Sequence, residues 1–279
     1  MFGEPFRGSA AIHAGIVTAK ELRGPRFRRL LRDVYVAAEV EVDLALRSRA
    51  AHVLVAGRGV LGGWSAAEIL GASCAARDAP AEVVTRVRQR AQPGLQISHE
   101  RLPPDEITEV DGIGVTTPIR TAFDLARRQP LTEAVIAVDA LTHAFGFAPA
   151  EVIGFGYRHH GARGSAQLPE VVRLSNPLAE SPMETRVRLA IHAAGLVAPV
   201  LQYPVGPYCL DMAYLDICLG VEYDGRDHLT QERAMRDLAR QAYLSKAGWE
   251  ILRFRAAEVL FHPSSAAAKV REKITLLTR

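Results

Sequence analysis

Hydrophobic and polar positions change rhythm several times along the chain, and the changes mark out its elements. Residues 12–36 open with a short helical pattern, pass through KELRGPRFRRLLRD (Lys20–Asp33) and close in a strand pattern, VYVAA. Phe27, Leu30 and Leu31 among the cations of that stretch predict a basic helix with an apolar stripe. Residues 42–56 predict a helix running into the apolar segment HVLVAG. Between 80 and 117 the segments AEVVTRVR, LQISHERL and ITEVDGIGVTT predict strands. Pro103, Pro104 and Asp105, then Asp111 and Gly112, supply the turn residues between them. From Pro118 the pattern becomes helical, through IRTAFDLARRQ and LTEAVIAVDALTHAF. In the last third a helix spans Met183–Ala194 and stops at Gly195; a strand from Pro199 to Val205 follows. Two more strands lie within Cys209–Asp224 and reverse about Leu215 and Asp216. A long helix from Thr230 to Ala247 stops at Gly248, then come a strand at Glu250–Phe254 and a closing helix.

The stretch LSNPLAESP, residues 174–182, has two prolines and small polar residues ahead of a strong helix start. It predicts a boundary between a mixed α/β region, residues 1–175, and a domain of residues 176–279 ordered helix, strand, strand, strand, helix, strand, helix. The fold class is α/β throughout: a mixed α+β region followed by an αβββαβ domain.

Composition narrows the picture. A chain of 279 residues suits one large domain or two ordinary ones, and 48% hydrophobic with 23% charged residues is ordinary for a globular protein and does not indicate disorder. The net charge of +3 says little, but arginine greatly outnumbers lysine and clusters locally. Its planar fork suits phosphate. Cys74, Cys209 and Cys218 form no CxxC pair, which predicts reduced thiols. The first 25 residues lack an apolar signal region and no apolar run reaches spanning length, so a cytoplasmic protein is expected.

Two short motifs carry little weight. Gly57–Gly62 matches GxGxxG, but Gly63 and Trp64 interrupt the helix a dinucleotide site needs, and Ser65 with Glu68 predicts a capping box beyond a loop. His159 and His160 stand together in YRHHGARG with no further Cys or His at ligand spacing, which predicts an exposed basic loop.

The chemistry concentrates in CLDMAYLDICLGVEYDGRDH, Cys209–His228. Glu222 and Asp224 project from one face of a strand, and a reversal about Leu215 and Asp216 brings Asp211 near them. Carboxylates converging at a sheet edge repel one another, and a hard divalent cation, Mg2+ or Mn2+, relieves the repulsion. Glu184 stands three residues after Ser181, which suits a capping box and equally an acid facing the hairpin. Arg233, Arg236 and Arg240 share a helix face at i, i+3 and i+7. Arg23, Arg26, Arg28 and Arg29, with Lys20 and Arg32, form the other cationic group, either a surface for nucleic-acid phosphates or a solvated face.

The segments ESPMETRVRLAIHAAGL, LDMAYLDICLGVEYDGRDH and RAMRDLARQAYLSKAGWEILRF together resemble the PD-(D/E)XK nuclease superfamily, in particular its very-short-patch-repair-like branch. The resemblance spans roughly 180–259. It implies a restriction-endonuclease-like fold and a metal-dependent DNA endonuclease, with Asp211 and Glu222 on the metal, Glu184 as the acid of the first helix and His228 as the histidine after the third strand. The superfamily lysine two residues after the second acid is Asp224 here. His228 then takes over proton transfer, or Asp224 holds a second metal, or activity is lost. ELRGPRFRRLLRDVYVAA, GWSAAEILG and VTTPIRTAFDLARR resemble AbiEi-like antitoxin and regulator proteins, which implies a winged-helix DNA-binding element, truncated here to one short segment before the basic stretch. The alternative function is a non-catalytic DNA-binding regulator on a degenerate nuclease fold.

Overall fold

Glycine and proline decide where the first elements stop. A computed structural model describes residues 2–88, 90–225 and 231–278, with the backbone alone at 231–234. The chain divides into two units, residues 1–173 and 174–279.

In the first unit, β1 (Phe6–Arg7) leads to α1 (Gly8–His13) and α2 (Ala19–Arg23), then to β2 (Phe27–Leu31) and β3 (Val34–Ala37), with strand order β1-β3-β2. The cationic stretch 20–33 is therefore not one helix. Thr18 and Glu21 form a reciprocal capping box at the start of α2. Gly24 and then Pro25 stop it after five residues, because the chain before a proline leaves the α region. Phe27 and Leu31 turn inward from β2 while Arg28 and Arg29 face solvent. Phe2, Phe6 and Phe27 pack ring to ring beneath the hairpin at centroid distances of 5.0–5.6 Å.

The rest of the unit is α3 (Leu44–Val55), β4 (Gly59–Leu61), α4 (Gly63–Ile69), β5 (Ala81–Thr85), β6 (Leu95–His99), β7 (Ile107–Val110), β8 (Ile113–Thr116), α5 (Pro118–Arg128), α6 (Leu131–Phe145), α7 (Ala150–Gly156) and α8 (Leu168–Leu174). The strands form one sheet in the order β6-β5-β4-β8-β7. Leu54, Val55, Leu61, Val83 and Val115 fill the space between this sheet and α3. The GxGxxG stretch is the strand β4 and its flanks, and the helix after it starts at Gly63, capped by Gly62, not at Ser65. Ser65 is buried and bridges Ser48 to the Glu82 backbone N–H. Gly63 has φ +49°, and a Cβ there would meet the Glu82 carboxylate at 2.2 Å, so a larger residue is strained and displaces that carboxylate.

Arg120 of α5 is fully buried and paired with Glu106, with Asp124 at 2.8 Å and with Glu100 at 2.7 Å. His159 is not on an exposed loop. Its ring stacks on Phe155 at 5.0 Å and bonds the Glu106 carboxylate at 2.7 Å, whereas His160 is exposed. Burying those aromatic faces and satisfying a buried carboxylate outweigh solvation of the loop.

The second unit runs α9 (Pro182–Ala193), β9 (Val200–Val205), β10 (Tyr208–Tyr214), β11 (Leu219–Asp224), α10 (Gln231–Lys246), β12 (Glu250–Arg255), α11 (Ala256–Phe261) and α12 (Pro263–Leu277). The predicted order holds, except that two helices close the chain. The sheet order is β12-β11-β10-β9, antiparallel from β9 to β11 and parallel between β11 and β12, with α10 as the crossover. On one face Met212, Leu219, Val221 and Phe254 pack with Val187 and Ile191 of α9 and Val270 of α12. On the other, Val205, Leu210 and Ala213 pack with Leu244 of α10. Each fully buried Leu, Val or Phe contributes about 1.5–3 kcal/mol. The two layers thus clamp β10 and β11 from both sides. The α/β fold class stands, with a mixed α+β unit first and the αβββαβ arrangement second.

Candidate active site

The pairing of Met212 with Val221 fixes the register of β10 against β11, and one step further along places Asp211 across from Glu222. The turn between them is a 3-10 segment, Leu215–Ile217, followed by Cys218 in the left-handed conformation, close to the reversal read from the sequence. Neither acid is solvated freely. An Asp211 carboxylate oxygen accepts from the Tyr223 backbone N–H at 2.9 Å. Burial pushes the Asp211 carboxyl up to about 6, with the Glu184 and Glu222 charges adding to the rise while the Tyr223 N–H and Arg240 oppose it.

Glu222 is 5% exposed and its charge is answered twice. Arg240 of α10 donates to both carboxylate oxygens, at 2.7 and 2.5 Å, a bidentate pair. Arg253, beside Glu222 in the parallel register with β12, donates from Nε at 3.3 Å. The other end of Arg253 is tied to α10, through Gln241 at 3.0 Å and Asp237 at 3.6 Å. Arg240 also donates to the Cys209 carbonyl at 2.7 Å and lies over the Tyr208 ring, 5.8 Å from its centroid.

Glu184 comes to the same end of the sheet on the first turn of α9. Ser181 caps that helix by accepting from the Glu184 N–H at 3.2 Å. The reciprocal half of the capping box does not form. The Glu184 carboxylate reaches past Ser181 to the Glu180 N–H at 3.0 Å and accepts from Gln202 Nε2 at 3.1 Å. Gln202 stands in β9 at the place across from Asp211, between the pairs Leu210 with Tyr203 and Met212 with Leu201. Its φ is +49°, a conformation a non-glycine residue holds only under constraint from its neighbours. That backbone aims its side chain at Glu184 and at the Cys209 thiol, which donates to Gln202 Oε1 at 3.3 Å.

Asp211, Glu222 and Glu184 therefore converge, with Gln202, Arg240 and Arg253 as partners the sequence reading assigned no place at the acids. Asp224 follows Glu222 on the same face of β11 and registers with Arg255 of β12. His228 and the side chain of Arg233 lie outside the described residues, and Arg236 is exposed. Arg240, expected along a nucleic-acid backbone, is turned onto Glu222 instead. In the first unit the remaining arginines divide. Arg23 donates to the Ala19 carbonyl, Arg26 pairs with Glu21 over the Phe2 and Phe27 rings, and Arg28 donates to the Ala38 carbonyl. Arg29 lines a cleft of about 510 Å³ with Arg32, Arg90 and Gln92.

The donors are hard oxygens, the set that Mg2+ and Mn2+ prefer, and Asp211 is raised chiefly by burial and then by the Glu184 and Glu222 charges beside it. The residues thus fit a divalent ion chemically. Among the described residues, however, no three Asp, Glu, His or Cys side chains stand in a ready-made metal arrangement. Glu222 is engaged by guanidinium groups.

The family model REase_MTES_1575, a restriction-endonuclease-like family, matches residues 183–274, from the first turn of α9 into α12. Two proteins of Mycobacterium tuberculosis strains, the uncharacterized proteins Rv2248 and MT2308, are each 30% identical over 241 residues, covering 84% of this chain and 88% of theirs. No solved structure matches the chain significantly. The similarity to the mycobacterial proteins spans both units, and the acids just described fall inside the nuclease-type match: the chain belongs to the family of those proteins and carries a restriction-endonuclease-like domain at its C-terminal end.

Proposed function

We propose that the protein is a metal-dependent endonuclease that hydrolyses phosphodiester bonds in DNA. The observation carrying this reading is the meeting of Asp211 and Glu222 across β10 and β11, with Glu184 beside them and the Asp211 carboxyl pushed up to about 6. Asp211 and Glu222 would hold Mg2+ or Mn2+, with Asp224 as a further oxygen donor. The bound ion supplies charge for the scissile phosphate and a lowered pKa for water. Glu184, held by Gln202 and the Glu180 N–H, keeps a third negative charge at that end of the sheet. His228 is the proposed proton acceptor, in place of the superfamily lysine that Asp224 replaces. Arg233 and Arg236 of α10 are proposed to follow the DNA backbone.

The likeness to very-short-patch-repair-like enzymes fits this role. The pair of short helices α1 and α2, followed by the β2–β3 hairpin and its arginines, supports the AbiEi-like winged-helix reading of the N-terminal region. Cleavage of supercoiled plasmid by the purified protein tests the proposal, with Mg2+, Mn2+ or EDTA and with Asp211→Ala alongside. Metal-dependent nicking that disappears in the variant is expected; equal nicking in Asp211→Ala overturns it.

One observation favours a second reading, a DNA-binding regulator with an inactive nuclease fold: both oxygens of Glu222 are engaged by arginines. That reading expects a salt-sensitive gel shift unchanged by EDTA and by Asp211→Ala, with no cleavage in any metal.

A further inference from the structure

We propose that Arg240 is a built-in counter-ion that holds the acid pair while no metal is present and must leave Glu222 for a divalent ion to bind there. The inference rests on the metal-dependent reading above and goes beyond it, because it names the residue that sets the affinity. Three features of the structure carry it.

First, Arg240 satisfies Glu222 as a cation would. It contacts both oxygens, and its second amino group bridges to the Cys209 carbonyl, two residues before Asp211 on β10. One guanidinium thus spans the ends of both strands that carry the acids. An ion bridging Asp211 and Glu222 needs a Glu222 oxygen that Arg240 now occupies. Metal and Arg240 therefore compete for one carboxylate, and each weakens the other by the same factor.

Second, the two arginines on Glu222 differ in how they are held. Arg253 issues from the sheet itself and is tied at its far end by Gln241 and Asp237. Arg240 issues from α10; beyond Glu222 it bonds a carbonyl and lies over the face of Tyr208, and the Asp211 and Asp237 charges act on it without a direct ion pair among the described contacts. The Arg253 contact can persist when Arg240 withdraws, so Glu222 is not left as a bare buried charge.

Third, Asp211 is served differently from Glu222. It takes the Tyr223 N–H and the longer-range field of Arg240. The exchange would trade a cation satisfying one acid for a cation satisfying two.

The test uses the full-length protein and Mn2+ itself, with binding read by calorimetry and by the quenching of the free-ion electron paramagnetic resonance signal. Arg240→Gln keeps hydrogen-bonding capacity and removes the charge. It is expected to bind Mn2+ about tenfold to a hundredfold more tightly than the native chain, the range a charge-assisted pair represents. Its thermal midpoint in EDTA should fall, and its rise on adding Mn2+ should exceed that of the native protein. Arg240→Lys, which keeps the charge but loses the fork, should fall between the two, and it serves if Arg240→Gln fails to fold. Equal or weaker Mn2+ binding in the variants, with clear binding by the native chain, overturns the counter-ion role and leaves the nuclease reading intact. Absence of Mn2+ binding in the native chain and in both variants overturns both together.

Discussion

Replacing Asp211 with asparagine in metal-free protein should stabilise the C-terminal unit at pH 8 and leave it nearly unchanged at pH 4. The Asp211 carboxyl rises from 3.8 to about 6 on folding, chiefly through burial. A folded-state value above the unfolded one means the native protein holds the proton longer. Stability is therefore lost as pH rises from about 4 to about 6 and stays lost above that. A rise of that size corresponds to about 3 kcal/mol as a ceiling, at about 1.4 kcal/mol per tenfold. Asp211 is only half-buried, so solvent screening reduces the figure to about 1 kcal/mol. The side-chain amide oxygen in Asp211→Asn can still accept from the Tyr223 N–H, so the change removes charge without orphaning that donor. Urea denaturation in EDTA at pH 4 and pH 8, followed by the fluorescence of Trp249 in a Trp64→Phe background, isolates this unit. Destabilisation of Asp211→Asn at pH 8, or the same difference at both pH values, refutes the reasoning. A gain at pH 8 accompanied by loss of metal binding is the pattern of a site strained for function.

Other outcomes follow from the same geometry. Arg120→Met strips three acids of their shared buried partner and should destabilise the first unit by about 3–5 kcal/mol, seen in denaturant melts with Trp64 as reporter. Gly63→Ala forces a Cβ into the Glu82 carboxylate at a positive φ and should lower the same transition by more than about 1 kcal/mol. Ser181→Ala removes the cap of α9 and should cost about 1 kcal/mol in the second unit's unfolding, with the Trp249 transition as the measure. Arg29→Ala, at the cleft shared with Arg32 and Arg90, should weaken DNA binding uniformly across sequences and reduce the salt slope of a gel-shift titration by about 1.

Most of the second unit's architecture was legible from alternation and stop residues. Gly195, Gly248 and the Ser181–Pro182 start mark its helix ends to within a residue or two. The antiparallel hairpin that brings Asp211 near Glu222 was legible from the apolar alternation, but a reversal about Leu215 and Asp216 would set Asp211 opposite Gly220, and the register of Met212 with Val221 is two residues further on. The arginines at Glu222 were not legible. Arg253 reaches it through a parallel register, and Arg240 through the docking of α10. Neither is encoded in local spacing. Gln202 was missed because glutamine, unlike glycine or asparagine, gives no signal of a left-handed backbone in the middle of a strand. In the first unit the apolar stripe of Lys20–Asp33 matches a helical period. The residues fit a strand equally well once Gly24 and Pro25 had ended the helix. Ser65 looked like a cap because its spacing to Glu68 was right, but burial against Ser48 claimed its hydroxyl first.

The parallel pairing of β11 with β12 also sets when these acids are completed. An antiparallel hairpin such as β10–β11 closes locally, whereas β12 joins only after the whole α10 crossover has folded back. Both arginines that answer Glu222 arrive with that late step, one on the crossover and one on the returning strand. A nascent chain that has emerged only as far as α10 therefore carries β11 as an open sheet edge, with the Glu222 charge not yet enclosed by Arg253. Arg240 is already made in such a chain, whereas Arg253 reaches the same carboxylate only when residues 250–255 join as the sheet's last strand, so the fully paired setting of Glu222 waits for that strand.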